Sequence, residues 1–205
     1  QDKDASLEVV LGEPEEKNKT EEINQTSENR IYGQLPNGLQ KALELRATFS
    51  NYIYVDKNSN QISLYRVSGE ELEQIFTLPT SDGEGIGPKR HLGDEKTPEG
   101  FYLIDRHWEG GGPKFGYASL RLNYPNRADQ MRGYNGDGIL ICGTDIDLRK
   151  ASIRAGYDCT NGSIIMLNKD MKRLYECVSN DYEDTVVIIE DPERPLENMK
   201  LEEII

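Results

Sequence analysis

Two stretches of this sequence decide the fold: GILICGTD at residues 138–145 and TNGSIIMLNKD at residues 160–170. The first is an apolar run that ends in glycine and polar residues, as a buried strand does where it enters a turn. The second opens with polar turn residues, continues through an apolar run and changes to helical spacing at Asn168, which we expect to be an N-cap. The sequence therefore predicts strands at 138–142 and 163–167 and a helix at 168–178.

The rest of the chain contains further short strand patterns. Turn residues at 56–60 separate two alternating apolar runs, which predicts a β-hairpin. A short amphipathic helix is predicted at 38–49. The remaining predicted strands lie at 52–55, 61–65, 72–78, 101–105, 119–122 and 185–189. These patterns predict a mostly-β (α+β) domain with one or two packed helices.

Composition changes mark the expected domain boundaries. Residues 1–32 are acidic and have almost no apolar periodicity, so they cannot bury enough surface to offset their ordering entropy. We expect a disordered acidic tether there, a short helical lead-in at 33–50, the folded domain at 51–190 and a C-terminal tail at 191–205.

Motifs upstream of the two stretches belong to a recognisable set. The sequence has Gly87-Pro88-Lys89, then GDEKTPEGFY at 93–102, then NYPN at 123–126. Together with residues 138–145 and 160–170, these blocks resemble the L,D-transpeptidase catalytic domain (YkuD type), in its murein transpeptidase and endopeptidase-like branch. The resemblance covers roughly residues 50–190. It implies an L,D-transpeptidase-like β-sandwich or barrel.

Three positions depart from the chemistry of that family. Cys142 and Asn161 occupy the positions of its two histidines, and Ser163 occupies the position of its nucleophilic cysteine. Ile165 stands where many members carry arginine. Cys159 is close by in sequence, but the following Met, Asn and Asp fit the family spacing only when counted from Ser163.

The resemblance implies the roles of the site residues. Family members form or cut an amide bond at meso-diaminopimelate in peptidoglycan stem peptides through a thioacyl-enzyme, with a histidine as base. Gly143 and Gly162 would form the tight turn whose N–H groups hold the oxyanion. Gly143, Thr160 and His91 are the positions expected to contact substrate.

Three interpretations of the substitutions at Cys142, Asn161 and Ser163 remain open. Catalysis is lost while the cleft still binds a stem peptide or a partner, because function lies in the site and not in the scaffold. Alternatively, Ser163 is the nucleophile of an acyl transferase or amidase-type hydrolase, with His91 or Cys142 as helper. A relocated nucleophile such as Cys159 is the third interpretation. A purely structural interaction module is the non-enzymatic alternative to a binding protein.

Composition restricts the partners. The formal net charge of −13 argues against binding to a phosphate backbone, and no apolar run approaches the length of a membrane span. The start at Gln1 is typical of a chain that has lost an export signal or lipoprotein leader, or of a segment of a longer chain. We therefore expect an exported protein of the bacterial cell envelope, periplasmic or lipoprotein-anchored, with no cofactor and no nucleic-acid partner.

The cysteines and acidic residues give no metal site. No C-x-x-C spacing is present, and Asp145 and Asp147 lack the spacing of a calcium loop, so no metal is predicted. The cysteines are expected to be buried small hydrophobes, with a Cys142–Cys159 disulfide as the alternative. In that alternative, Cys177 would be the one unpaired cysteine of the three.

Two further pairs have competing interpretations. Asp94 and Glu99 could be a glycosidase acid pair, but their turn-rich surroundings favour capping and turn hydrogen bonds. Trp108 and Phe115 could border a ligand groove, although a satellite core contact is the simpler expectation.

Overall fold

The computed structural model describes residues 35–44, 49–69, 71–194 and 196. The tether predicted at 1–32 lies outside the described residues, and so does most of the tail predicted at 191–205. No helix in the described ranges is long and apolar enough to cross a membrane.

Eight strands form one sheet, which confirms the mostly-β prediction. The sheet order is β3-β2-β1-β8-β4-β5-β6-β7. The strands are β1 (Asn51–Asp56), β2 (Gln61–Ser68), β3 (Glu71–Pro79), β4 (Gly100–Glu109), β5 (Ala118–Leu122), β6 (Leu140–Thr144), β7 (Ile164–Leu167) and β8 (Thr185–Glu190).

The β1–β2 hairpin forms where the turn residues predict it. The Asp56 carboxylate accepts hydrogen bonds from the backbone N–H groups of Asn58 and Ser59, at 2.9 and 3.0 Å. This Asx-type turn fixes the antiparallel register, in which Tyr52 lies opposite Tyr65. The other side of β1 pairs in parallel with β8, so the last strand of the described residues lies in the middle of the sheet.

Strand β4 connects the two halves of the sheet. Its first residues pair with β8 and its later residues pair with β5, with an irregularity between Ile104 and Arg106. A β-bulge of this kind bends a strand and increases its twist. This irregularity lies between the part of β4 that pairs with β8 and the part that pairs with most of β5.

The β4–β7 half has two chemically different faces. Residues that lie opposite each other in paired strands project to the same face, and successive residues alternate between faces. Leu120, Ile141 and Ile164 are fully buried on what we call the core face. The other face, which we call the site face, carries Trp108, Arg121, Leu140, Cys142 and Ile165.

Five α-helices surround the sheet in the described ranges: α1 (Asn37–Glu44), α2 (Gly112–Phe115), α3 (Arg127–Met131), α4 (Asp147–Ala155) and α5 (Asn168–Val178). Helix α5 packs on the core face through Met171 and Leu174, as its spacing predicts. Its N-cap is Leu167, so the prediction of Asn168 as N-cap is wrong. The Asn168 side chain instead bonds to residues that follow α2 and β6.

Three of these helices were not predicted from the sequence. In α4 the only buried residue is Ile153, so the apolar repeat that signals a helix is too weak to detect. Helix α2 has four residues and follows two glycines, and α3 has five residues. Gly156 ends α4 in the left-handed conformation, with φ of 71°.

Candidate functional site

A cavity of about 660 Å³ opens on the site face, and four of the predicted site positions line it: Cys142, Thr160, Asn161 and Ser163. Trp108 and Phe115 also line it while packing against the small cluster around Cys142. The expected contact with a satellite core cluster is therefore confirmed, and the border of a ligand groove stays a prediction.

Ser163 lies immediately before β7 and beside β6. Its Oγ accepts a hydrogen bond from the backbone N–H of Leu140 at 3.2 Å and lies 3.4 Å from the carbonyl oxygen of Gly138, to which it donates. This position agrees with the register counted from Ser163. Both contacts are with backbone groups, and no described side chain hydrogen-bonds to the Ser163 hydroxyl.

The loop before Ser163 is held by two threonines. The Thr160 hydroxyl donates to the carbonyl of Ser163 at 2.6 Å and accepts from the N–H of Gly162 at 3.0 Å. The Thr97 hydroxyl donates to the carbonyl of Gly162 at 2.9 Å. Thr160, a predicted substrate contact, therefore supports the loop through its hydroxyl while it lines the cavity.

Both site glycines are required by the structure, for different reasons. Gly162 has φ of 118°, and a Cβ there would lie 2.5 Å from the carbonyl oxygen of Lys96. At Gly143 a Cβ would lie 2.3 Å from Oδ1 of Asn168. Asn168 accepts from the N–H of Tyr117 at 2.9 Å and donates to Asp145 at 2.6 Å, which joins the start of α5 to the end of β6.

Cys142 is buried among apolar side chains, including Leu140, Ile153 and Ile165. Burial raises the pKa of its thiol to about 12, and the positive charges of Arg149 and Lys114 offset that effect only in part. The thiol is therefore protonated at neutral pH and cannot accept a proton from Ser163.

The cysteines are unpaired, so the alternative of a Cys142–Cys159 disulfide is wrong. Cys159 is half-buried, packs against the cluster of Cys142, and its Sγ lies 3.2 Å from the Ser81 hydroxyl. Cys177 is likewise half-buried, against the main core. Only Cys142 is fully buried as the sequence predicts.

The structure does not bring either histidine of the chain into the cavity. His91, predicted as a substrate contact or helper, is exposed on a loop where its backbone N–H donates to Asp94 at 2.9 Å. Its placement gives no support to that role. His107 lies on the core face, with Nδ1 2.9 Å from the hydroxyl of Tyr175.

Asp94 and Glu99 have structural partners, as the turn interpretation predicts. Burial alone would raise the pKa of Asp94, but hydrogen bonds from Lys89 and from backbone N–H groups outweigh it and lower that pKa. Lys89 Nζ lies 2.7 Å from the Asp94 carboxylate. Glu99 pairs with Lys57 at 2.8 Å and with Arg194 at 2.9 Å.

Four charged residues of the cavity wall were not identified from the sequence: Lys114, Arg121, Asp137 and Arg149. They come from α2, β5, the segment before β6, and α4. Only Arg121 had a local signal, because alternation along β5 places it on the face opposite Leu120 and Leu122. The other three could be assigned to the wall only from the positions of the helices and of the segment before β6 in the structure.

Comparisons with known proteins show the family of the chain. The sequence model of the L,D-transpeptidase catalytic domain (YkuD) matches residues 50–189. The chain belongs to this family. The putative L,D-transpeptidase YafK of Escherichia coli K12 is 28% identical to this L,D-transpeptidase-family chain over 131 residues, which are 62% of this chain and 47% of YafK. The chain thus spans about half the length of that relative.

Solved structures show the same fold. The helical cell shape determining protein Pgp2 of Campylobacter jejuni superposes with a TM-score of 0.60 at 23% identity, covering 78% of this chain and 58% of Pgp2. Bd1075 of Bdellovibrio bacteriovorus gives a TM-score of 0.55 at 24% identity, covering 71% of this chain and 49% of Bd1075. The L,D-transpeptidase-like fold predicted from the motifs is confirmed.

Proposed function

We propose that this protein is a catalytically inactive member of the L,D-transpeptidase family that binds a peptidoglycan stem peptide in the site-face cavity. The observation that carries the proposal is the environment of Ser163. Its hydroxyl contacts only the backbone of Leu140 and Gly138 among the described residues. Acyl transfer by a serine requires a neighbouring base that removes the hydroxyl proton.

The other two substituted positions do not supply that base. Asn161 has an amide side chain, which does not accept a proton at neutral pH. Cys142 is a thiol with a pKa raised to about 12 by burial. A general base contributes about 10²–10⁴ in rate, so a site without one turns over slowly even with the turn at Gly162 in place.

The binding half of the proposal rests on the cavity. Its volume of about 660 Å³ lies within the range of about 300–1,000 Å³ found for small-ligand sites. The wall combines the aromatic pair Trp108 and Phe115 with polar groups at Thr160 and Asn161. Such a wall suits a peptide that has both carbon chains and polar ends.

The family resemblance also supports a location and a partner class. Peptidoglycan is the substrate class of the family, so we propose that the protein acts in the bacterial cell envelope and reaches it by export. Cell fractionation with an antibody to residues of the folded domain tests this part separately from the binding assay.

Purified protein incubated with disaccharide tetrapeptide tests the central proposal. We expect saturable binding by calorimetry and no product by mass spectrometry. The variant Asn161→Phe narrows the cavity and should weaken binding by about tenfold or more, as expected when a well-formed pocket is blocked. Its matched control is Asn58→Phe, in the exposed β1–β2 turn outside the cavity.

Two results would change the assignment. A product that forms with the wild type and disappears in Ser163→Ala would replace the proposal with an active serine acyl transferase or hydrolase. Absence of binding by a folded wild type would leave the structural interaction module as the function supported by the fold.

A further inference from the structure

The cavity has a charge opposite to that of the chain. Three cations, Lys114, Arg121 and Arg149, line it together with one carboxylate, Asp137. The chain as a whole has a formal net charge of −13. A cleft lined by an excess of one sign concentrates ligands of the other sign, and this one is positive within an acidic protein.

The cations approach the cavity from separate elements. Arg121 lies opposite Leu140 in the β5–β6 register and so projects to the site face. Lys114 is in α2 and Arg149 is in α4. Nη1 of Arg149 donates to the carbonyl of Lys114 at 3.3 Å, which fixes the guanidinium beside α2. These contacts place positive charge at one side of the wall.

None of the three cations is fully neutralised by the described residues. Lys114 and Arg149 form no ion pair with another described residue, and the Lys114 ammonium lies 5.2 Å above the Phe115 ring. Arg121 is partly neutralised by an ion pair with Asp105, whose carboxylate lies 3.6 Å from Nε. Lys114 and Arg149 therefore carry the uncompensated positive charge of the wall.

We propose that the cavity binds a carboxylate of its ligand between Arg149 and Lys114, with Arg121 supplying a further N–H donor. Guanidinium groups form paired, charge-assisted hydrogen bonds with carboxylates. Trp108 and Phe115 contact the carbon atoms next to that carboxylate. The choice of ligand class rests on the proposed function, because a stem peptide supplies such carboxylates, whereas the charge of the site does not depend on it.

The test compares a stem tetrapeptide containing meso-diaminopimelate, with free carboxylates, and the same peptide with its carboxylates amidated. Trp108 is the only tryptophan of the chain and lines the cavity, so its fluorescence reports binding directly, and calorimetry gives the affinity. We expect the amidated peptide to bind about tenfold or more weakly, as charged hydrogen bonds are lost. Added salt should weaken the binding of the free-acid peptide and leave the binding of the amidated peptide almost unchanged.

Variants assign the effect to the named side chains. Arg149→Gln and Lys114→Gln should each weaken the affinity for the free-acid peptide by about tenfold. The affinity of each variant for the amidated peptide should stay within about twofold of the wild-type value. The matched control is Arg154→Gln, an exposed cation on the same helix that does not line the cavity. Equal effects of Arg149→Gln and Arg154→Gln, in proteins with the same circular dichroism, would overturn the proposal.

Two small probes separate this inference from the proposed function. If N-acetylalanine binds in a manner that depends on Arg149 while the tetrapeptide does not bind, the carboxylate site stands and the stem-peptide function fails. If the tetrapeptide binds without any dependence on charge, the function stands and the carboxylate site fails. Inorganic phosphate binding more tightly than N-acetylalanine at Arg149 would overturn the assignment to a carboxylate.

Discussion

The core face and the site face of the β4–β7 sheet use alternate residues of the same strands for opposite purposes. On the core face, Ile141 and Ile164 are fully buried against α5. On the site face, Cys142 and Ile165 border a cavity whose wall also carries cations. The comparison teaches that α5 covers the core face, which contributes to the stability of the domain, whereas the site face leaves a cavity between its small buried cluster and a charged wall.

The strongest test of this comparison is a truncation on the core face. Leu174 of α5 is fully buried there, so Leu174→Ala should lower the free energy of unfolding by about 2–5 kcal/mol. Urea denaturation followed by circular dichroism measures it. The control Leu148→Ala changes a side chain that is 77% exposed and should stay within about 0.5 kcal/mol. Similar losses in both variants would contradict the assignment of stability to the core face.

The next largest expected effect is on the pH dependence of stability, and it comes from a buried acid beside the loop that precedes Ser163. Asp82 is buried, and its carbonyl accepts from the N–H groups of Cys159 and Thr160. Burial, and then the negative charge of Asp158, raises the pKa of Asp82 to about 8, while Lys57 acts in the opposite direction. The folded state thus binds this proton more tightly than the unfolded state, whose Asp pKa is about 3.9.

The sign of the pH dependence follows. The stabilisation from protonated Asp82 is fully present below the unfolded pKa and is lost as pH rises toward and through about 8. Relative to the wild type, Asp82→Asn should therefore gain stability between pH 4 and 8, by at most about 1.4 kcal/mol per pH unit. Urea denaturation across pH 5–9 measures this.

A control separates this effect from a general response to charge. Asp147 is exposed, and hydrogen bonding and charge attraction from Lys150 lower its pKa. Any stability difference between wild type and Asp147→Asn should therefore stay constant over pH 5–9 and change only in acid. Stability curves for wild type and Asp82→Asn that run parallel over the whole range would show that Asp82 is already ionised in the folded protein.

Restoring the family residues on the site face tests whether only chemistry was lost there. Cys142→His, Asn161→His and Ser163→Cys together should rebuild a thiolate–imidazole pair beside the Gly162 turn. We expect the new thiol to react with a labelling reagent at mildly acidic pH about tenfold or more faster than the thiol of Ser163→Cys alone. Tetrapeptide turnover should recover modestly, because Ile165 remains.

The control for this experiment is folding. Circular dichroism should show whether the triple variant is folded like the wild type, because Cys142 belongs to the buried cluster as well as to the cavity wall, and the larger imidazole must extend into the cavity to fit. A folded triple variant with no enhanced thiol reactivity would mean that the cleft has diverged along with its chemistry.

The last prediction is that a reagent for the family's nucleophile does not react with the wild type. A carbapenem should form no stable adduct with the wild type, because Ser163 has neither a thiol nor a base. Intact-mass spectra measure this, and the triple variant serves as the positive comparison. An adduct mapped to Ser163 in the wild type would show that the site face has kept its chemistry.

Local patterns predicted a large part of this structure. Alternation and turn residues predicted the hairpin through 56–60 and the strands of both sheet halves. The helical spacing from Asn168 onward predicted α5. These features could be predicted because they depend on periodicity and on turn chemistry within about ten residues of chain.

Other features depended on which segments meet. Asn168 resembles an N-cap in the sequence, but its side chain bonds to Tyr117 and Asp145, which only the tertiary structure brings near. His91 resembles a site residue by its motif, yet it is exposed on its loop and does not line the cavity. Helix α4 has one buried residue, and the sequence therefore contains too little apolar signal to reveal it.

The sequence by itself determined the family and the strand pattern, because both are properties of residue identity and spacing. The resemblance also predicts that Cys142, Asn161 and Ser163 stand where the family has its imidazoles and its thiol. Only the tertiary structure decided that Cys142 is a buried neutral thiol, that the cysteines are unpaired, and that Lys114, Arg121 and Arg149 line one cavity. Burial and charge clustering depend on the packing of segments far apart in the chain, and no local pattern specifies them.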